Sequence, residues 1–370
     1  MDLSWPDELA ALAEEARAVA REAASARPFR EDSWVCGHDR DFSLELGKRG
    51  WLGMVWPVEE GGHGRTALER FVVTEALISE GAPIASSWVG DRQIGPTLLA
   101  YGTAEQRARW LPPMVRGEVT WSIGLSEPDA GSDLAALRTR AVPDGDGWRI
   151  EGRKIWTSLA ADAEHCYVVA RTDPDAPAHQ GISDFVVDLD APGVTVTPIR
   201  DITGAQDFCE VSYDGVRVPG DHLIGTLHGS WKQIMRQLEH ERGGVDRIVS
   251  NRALFLETVA RIDPSDRVLR QRAAALEARF RIGRQLVLRA LGGAAPTGFS
   301  ALTKVFCTEV EQDVAELCVD ALGMDGLLEG RPGSSRAARN LLYAPAYSIQ
   351  GGGNGILRTV LAERTLGLPR

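Results

Sequence analysis

Apolar and polar residues alternate along this chain with two different periods. Over residues 7–26, Leu, Ala and Val recur at helical spacing among Glu and Arg, and Pro28 closes the run. The same period predicts helices over Asp41–Gly50, Thr66–Gly81 and Pro83–Tyr101. Thr103, with Gln106 three residues on, has the form of a capping box opening a further helix. The Gly- and Pro-punctuated segments Trp51–Pro57 and Glu59–Gly64 read as architectural turns. At Glu118 the period shortens. Short runs such as Cys166–Val169, Asp184–Val187 and Val211–Tyr213 are broken by Gly, Asp and Pro, the rhythm of a compact β-domain.

From Ser230 the helical period returns. Long helices are predicted over Ser230–Ala260, Arg267–Leu291 and Ser300–Leu322, and shorter ones over Ser334–Leu342 and Asn354–Thr365. The simplest packing for such a set is an antiparallel bundle. The expected division is therefore a helical domain over 1–117, a β-domain over 118–225 and a helical bundle over 226–370.

Composition narrows the class. With 370 residues the chain is long enough for a large buried core, and a net charge of −11 argues against nucleic acid or an acidic membrane as partner. The five cysteines, Cys36, Cys166, Cys209, Cys307 and Cys318, show no C-x-x-C spacing and read as buried thiols in a reducing compartment, with no metal site. No apolar run approaches the ~20 residues of a membrane span, and the N-terminus is acidic and amphipathic, so the expected location is the cytoplasm.

Two segments carry the candidate chemistry. Ile123-Gly124-Leu125-Ser126-Glu127-Pro128-Asp129-Ala130-Gly131-Ser132-Asp133 is a strand end followed by a loop rich in hydroxyls. Gly152-Arg153-Lys154-Ile155-Trp156-Thr157-Ser158 is a strand with Trp156 set among polar neighbours. Taken alone they are either ordinary turns or one wall of a site for a flat ligand. The pattern S-E-P-x-A-G-S-D followed by G-x-K-x-W-T-S resembles the middle domain of the acyl-CoA dehydrogenase family of flavoproteins, and the likeness runs from about Glu8 to the C-terminus. The resemblance implies an α+β multidomain fold: N-terminal helical domain, central β-barrel-like domain and C-terminal four-helix bundle. It implies FAD as cofactor, with flavin contacts from Ile123, Leu125, Ser126, Trp156 and Ser158, and it places Ser132 near the acyl-CoA.

The reaction of that family needs a carboxylate to remove the α-proton of a thioester, a flavin to accept the β-hydride, and hydrogen bonds that stabilise enolate-like charge. Many members carry the carboxylate on a loop before the last helix. The matching stretch here is Ile349-Gln350-Gly351-Gly352-Gly353-Asn354-Gly355-Ile356, with Gly351 at the position of the base. Other members, isovaleryl- and long-chain-type enzymes among them, carry it on the first long C-terminal helix in an x-Glu-Arg motif. Leu238-Glu239-His240-Glu241-Arg242 puts Glu241 on that position. Glu239 points about 200° away on a helix, and His240 also faces elsewhere. Arg242 is either ion-paired in the bundle or a substrate-binding residue.

The glycine run departs from the family pattern. Gly353 and Gly355 replace side chains that touch the adenylate portion of the flavin, although loop amides before a helix still suit a phosphate. Arg270 and Gly323, in Leu322-Gly323-Met324-Asp325-Gly326, are loose matches to the residues another subunit extends to the ADP part of FAD. The leading expectation is an FAD-dependent acyl-CoA dehydrogenase, a homo-oligomer (dimer or tetramer) or a heteromer with a homologue, passing electrons to an electron-transfer flavoprotein or similar acceptor. The alternatives are a partner subunit that completes another chain's flavin site, and a flavin enzyme acting on a carrier-protein-bound acyl group docked at Arg331, Arg336 and Arg339.

Overall fold

A computed structural model of the chain describes residues 5–25, 29–293, 295–296, 298–328 and 334–369, without the side chains of His240, Glu241, Ser334 and Ser335. Pro28 and Arg331 thus lie outside the described residues. Helices α1 (Asp7–Ser25), α2 (Arg40–Lys48), α3 (Ala67–Ser79), α4 (Ala85–Val89), α5 (Gly95–Tyr101) and α6 (Ala104–Val115) come first. Eight strands follow: β1 (Trp121–Gly124), β2 (Arg140–Asp144), β3 (Gly147–Ser158), β4 (His165–Arg171), β5 (Ile182–Asp188), β6 (Val194–Ile199), β7 (Phe208–Pro219) and β8 (Leu223–Ile224). The chain ends with α7 (Ser230–Arg242), α8 (Asp246–Val249), α9 (Arg252–Val259), α10 (Arg267–Leu291), α11 (Phe299–Leu322), α12 (Ser334–Ile349) and α13 (Asn354–Val360).

Contacts group these elements into two compact units. One comprises residues 35–66 and 83–238; the other comprises residues 1–34, 67–82 and 239–370. The boundary between Leu238 and Glu239 falls inside α7.

In the first unit the strands form one mixed sheet in the order β6-β7-β3-β2-β4-β5-β8, with β1 parallel to β4. One side of it packs Ile150, Cys166, Val168, Phe185 and Val211, all 0% exposed. The capping box is present: Thr103 Oγ1 accepts from Gln106 N at 3.2 Å and Gln106 Oε1 from Thr103 N at 2.9 Å. The Gln106 amide also donates to the carbonyls of Asp221 and Leu223, which ties α6 to the exit of the β-domain. The run expected as one helix over Pro83–Tyr101 is divided by a π-helical turn, Gly90–Ile94. Asp91 Oδ1 in that turn accepts from Gly53 N at 2.7 Å, and a Cβ on Gly95 would stand 2.0 Å from the Trp56 ring. Only glycine lets the indole pass the start of α5.

The root of α7 is fixed to the sheet by Asp184 of β5, which is fully buried. It accepts from Ser230 Oγ, from Gln233 Nε2 at 2.8 Å and from the Tyr167 hydroxyl. No cation appears among these partners, and burial pushes the carboxyl up to about 7 against the hydrogen bonds of Ser230 and Tyr167. The folded chain keeps this proton to about pH 7, whereas the unfolded chain releases it near pH 4, about the ordinary value for Asp. Stability therefore falls as pH rises through that window and levels off above it. Asp184→Asn is expected to flatten the fall between pH 4 and 7, read as the melting temperature against pH.

In the second unit, α1 buries Ala13, Ala16, Val19 and Ala20 at helical spacing and packs on α3. Arg284 of α10 reaches α3 through Glu75 at 2.6 and 3.0 Å. The single helix expected over Ser230–Ala260 is three helices, α7, α8 and α9, broken around Gly243-Gly244 and again at Asn251. Glycine withdraws helix propensity at the first break. At the second, the Asn251 backbone N–H donates to Glu311 Oε2 and its side-chain amide to the Glu311 carbonyl. Arg336 and Arg339 do not form a docking patch. Arg336 pairs with Glu31 and Glu257, and Arg339 with Asp32 at 2.7 Å. All five cysteines are buried free thiols.

Candidate active site

The two motifs expected to line a flat ligand meet in the first unit. Ile155 N donates to Ser126 O at 2.9 Å, and the Lys154 ammonium donates to Leu125 O at 3.0 Å and to Glu127 Oε1 at 2.8 Å. Lys154 is 0% and Glu127 8% exposed. The second Glu127 oxygen accepts from Arg138 N at 2.7 Å, and Oε1 also accepts from Thr139 N. Burial alone would raise the Glu127 carboxyl, yet the Lys154 charge and these hydrogen bonds hold it below the usual carboxylate range. One buried ion pair thus fixes the backbone of Leu125 and Ser126 against β3. Sequence reasoning gave Lys154 no role; the signal was a lysine on the strand position two before the tryptophan, inside an otherwise tightly specified motif.

Trp156 stands out from β3. The register with β7 shifts between Lys154 and Thr157, the mark of a β-bulge, and Trp156 takes φ +60. A bulky residue in the left-handed region is strained, and bulges and such strain collect at functional sites. The indole is 56% exposed and is met edge-on by Phe208 at 6.2 Å. A large apolar face is thus held open beside backbone groups that are rigidly placed, which fits a flat aromatic ring system such as a flavin. Ile123, Leu125, Ser126 and Ser158 lie half-buried along the same two segments, and Ser132 is exposed on the loop after Glu127.

The second unit holds the other candidates. Arg242, at the end of α7, donates from Nε to Gly351 O at 2.7 Å. The fully buried Lys304 of α11 donates to Gly352 O and to Asn354 Oδ1, both at 2.8 Å. Two cationic side chains therefore grip successive carbonyls of the glycine loop. Gly351 and Gly352 have φ +67 and +105, which favour glycine there, whereas a Cβ on Gly353 or Gly355 would meet nothing within 4 Å. Gly353 caps α13, Gly323 closes α11, and the exposed Arg270 donates to Pro264 O at the start of α10. The structure does not bring Arg270, Gly323 and Gly353 into one hydrogen-bonded group. The Glu241 backbone is helical, one residue before Arg242; its side chain lies outside the described residues.

Comparison with known proteins decides the family. Three family models match in order: the acyl-CoA dehydrogenase N-terminal domain over residues 6–118, the middle domain over 122–216 and the C-terminal domain over 229–366. The chain belongs to the acyl-CoA dehydrogenase family. Acyl-CoA dehydrogenase IpdE1 of Mycobacterium tuberculosis is 35% identical over 339 residues, covering 90% of this chain and 88% of the relative. Among solved structures, the Tcur3481-Tcur3483 steroid acyl-CoA dehydrogenase superposes with a TM-score of 0.90 at 33% identity over the whole of both chains. A chain of the ChsE4-ChsE5 complex of Mycobacterium tuberculosis gives 0.88 at 30% identity, again over the whole of both. Acyl-CoA dehydrogenases are FAD-dependent oxidoreductases of acyl-CoA thioesters, and this chain carries that fold through all three domains. Among the described residues no helix is long and apolar enough to cross a membrane.

Proposed function

We propose that the chain is an FAD-dependent acyl-CoA dehydrogenase in which Glu241 is the catalytic base. The observation that carries this reading is the bond from Arg242 to Gly351 O. It sets the residue next to Glu241 against the very position where other members carry the base and where this chain has glycine.

The chemistry divides among residues already described. Ile123, Leu125, Ser126 and Ser158 would hold the flavin edge, with the Trp156 indole against one face. FAD held by these residues would supply the acceptor for the β-hydride. The Glu241 carboxylate removes the α-proton and keeps it until product leaves, and a water-poor surrounding suits that role by raising its affinity for the proton. Arg242 and Ser132 would position the thioester. Arg270, Gly323 and Gly353 would serve the ADP end of FAD, in part across a subunit boundary. Trp156→Ala is expected to weaken FAD retention about 5- to 150-fold, measured by flavin content after dialysis, because base–aromatic-type stacking is worth roughly 1–3 kcal/mol.

The partners in this reading are an acyl-CoA, an electron-transfer flavoprotein or similar acceptor, and further copies of this chain or a homologue. The location is the cytoplasm, and the domains divide at 1–117, 118–225 and 226–370. The steroid enzyme among the relatives favours a bulky, ring-bearing acyl group over a straight chain. The test is incubation of purified protein with a ring-bearing acyl-CoA and an artificial electron acceptor. An enoyl product two hydrogens lighter, formed only with the acceptor, is the expected result. Recovery of unchanged thioester with every acyl-CoA tried would reject the function.

A further inference from the structure

The buried face of α7 carries a line of polar side chains at helical spacing: Ser230, Gln233 and Gln237 are 0%, 3% and 2% exposed. The first two are spent on Asp184. Gln237 is not: among the described residues, neither its carbonyl oxygen nor its amide nitrogen has a hydrogen-bond partner. Around it the helix is conventionally packed, with Ile234 in the core and Trp231, Met235 and Leu238 against it. A buried amide with both ends unsatisfied is costly, and native structures keep few such groups. Leucine or methionine would fill the space at less cost, so the polar group needs a reason.

Position supplies one. Residue 241 lies four residues on, about 6 Å along the helix and about 40° around it, so positions 237 and 241 share one face of α7. A substrate presenting its α-carbon to a base at position 241 places groups only a few bonds away within reach of position 237. We infer that Gln237 is a specificity-determining residue that hydrogen-bonds a neutral substrate group able both to donate and to accept. Two groups of an acyl-CoA have that chemistry near the reacting carbons: a hydroxyl on the acyl moiety, or the pantetheine amide nearest the sulfur. The inference rests on the dehydrogenase reading with Glu241 as base and adds to it a recognition element one helical turn away.

The test uses Gln237→Met, which keeps the length of the side chain and removes its polarity. Thermal melting is expected to hold or rise, because an unsatisfied buried amide is gone. Acyl-CoA binding by calorimetry and steady-state turnover are compared for matched hydroxylated and deoxy acyl-CoAs. A loss of affinity of about tenfold confined to the hydroxylated substrate, with the deoxy analogue improved, assigns Gln237 to the acyl hydroxyl. The same loss across the whole panel, absent for a thioester truncated before that amide, assigns it to the pantetheine arm. Unchanged affinity and kcat/KM throughout, or a lower melting temperature with kcat reduced and affinity kept, would overturn the inference while leaving the function standing. Wild-type protein that binds no acyl-CoA would overturn both.

Discussion

Glu241→Gln lowers turnover of the acyl-CoA by about 10³-fold and leaves FAD bound. The size follows from what a positioned general base contributes, typically 10²–10⁴ in rate. Glutamine has the shape of glutamate but takes no proton at neutral pH, so the change isolates the proton transfer from the packing of α7. Flavin content and melting temperature should match the wild type, because none of the residues proposed to hold FAD lies on α7. A second variant separates base loss from local damage. In Glu241→Gly with Gly351→Glu the carboxylate is moved to the loop position used by other members. Gly351 has φ +67, so a glutamate there costs roughly 1–2 kcal/mol of backbone strain. Rescue is therefore expected to be partial, well above Glu241→Gly alone and below wild type. Turnover by Glu241→Gln within threefold of wild type would show that another group is the base.

Lys154→Met destabilises the protein by about 3–5 kcal/mol and empties it of flavin. The cost is that of leaving a buried carboxylate, Glu127, without its counter-charge, which is the penalty for breaking such a pair from one side. The Leu125 carbonyl loses its donor in the same step, so the backbone beside Trp156 is freed as well. Removing both charges, in Lys154→Met with Glu127→Gln, should recover part of the lost stability, since no buried charge is left unpaired and the glutamine oxygen still accepts from one of the amides of Arg138 and Thr139. Flavin content would recover less, because the anchor on Leu125 O is still missing. Denaturant unfolding of the single and double variants reads the difference directly. A double variant less stable than the single one would mean that the ion pair is not what holds this loop.

These two sites mark what the sequence made legible and what it hid. The motifs were readable because their residue types are fixed by close backbone approach and by hydroxyl chemistry, and the exposure of Trp156 was readable from its polar neighbours. The bulge and the positive φ that expose it were not, since an inserted residue in a strand leaves no trace in period-two patterning. The capping box at Thr103 was readable from two residues alone, because both of its bonds are local. The π-turn at Gly90–Ile94 was not, because it is set by Trp56 and Gly53, distant in sequence. Likewise Ser230–Ala260 keeps a helical pattern across Gly243-Gly244 and Asn251, and only the tertiary hydrogen bonds to Glu311 accompany the second break. Arg336 and Arg339 looked like free surface charge because Glu31 and Asp32 lie some three hundred positions earlier. Lys154 and Gln237 escaped notice for the same reason: a polar residue at a buried position is recognised only when its partner, or its lack of one, is seen.

The measurement that bears most directly on the function is anaerobic titration of the purified holoprotein with acyl-CoAs, following the visible flavin band, with wild type and Glu241→Gln side by side. The expected result is bleaching of the wild-type flavin by a ring-bearing acyl-CoA, one equivalent per site, and no bleaching of the variant on the same timescale although both bind the thioester. A wild-type flavin that no acyl-CoA bleaches, or a variant that bleaches as fast as wild type, would contradict an acyl-CoA dehydrogenase with Glu241 as its base.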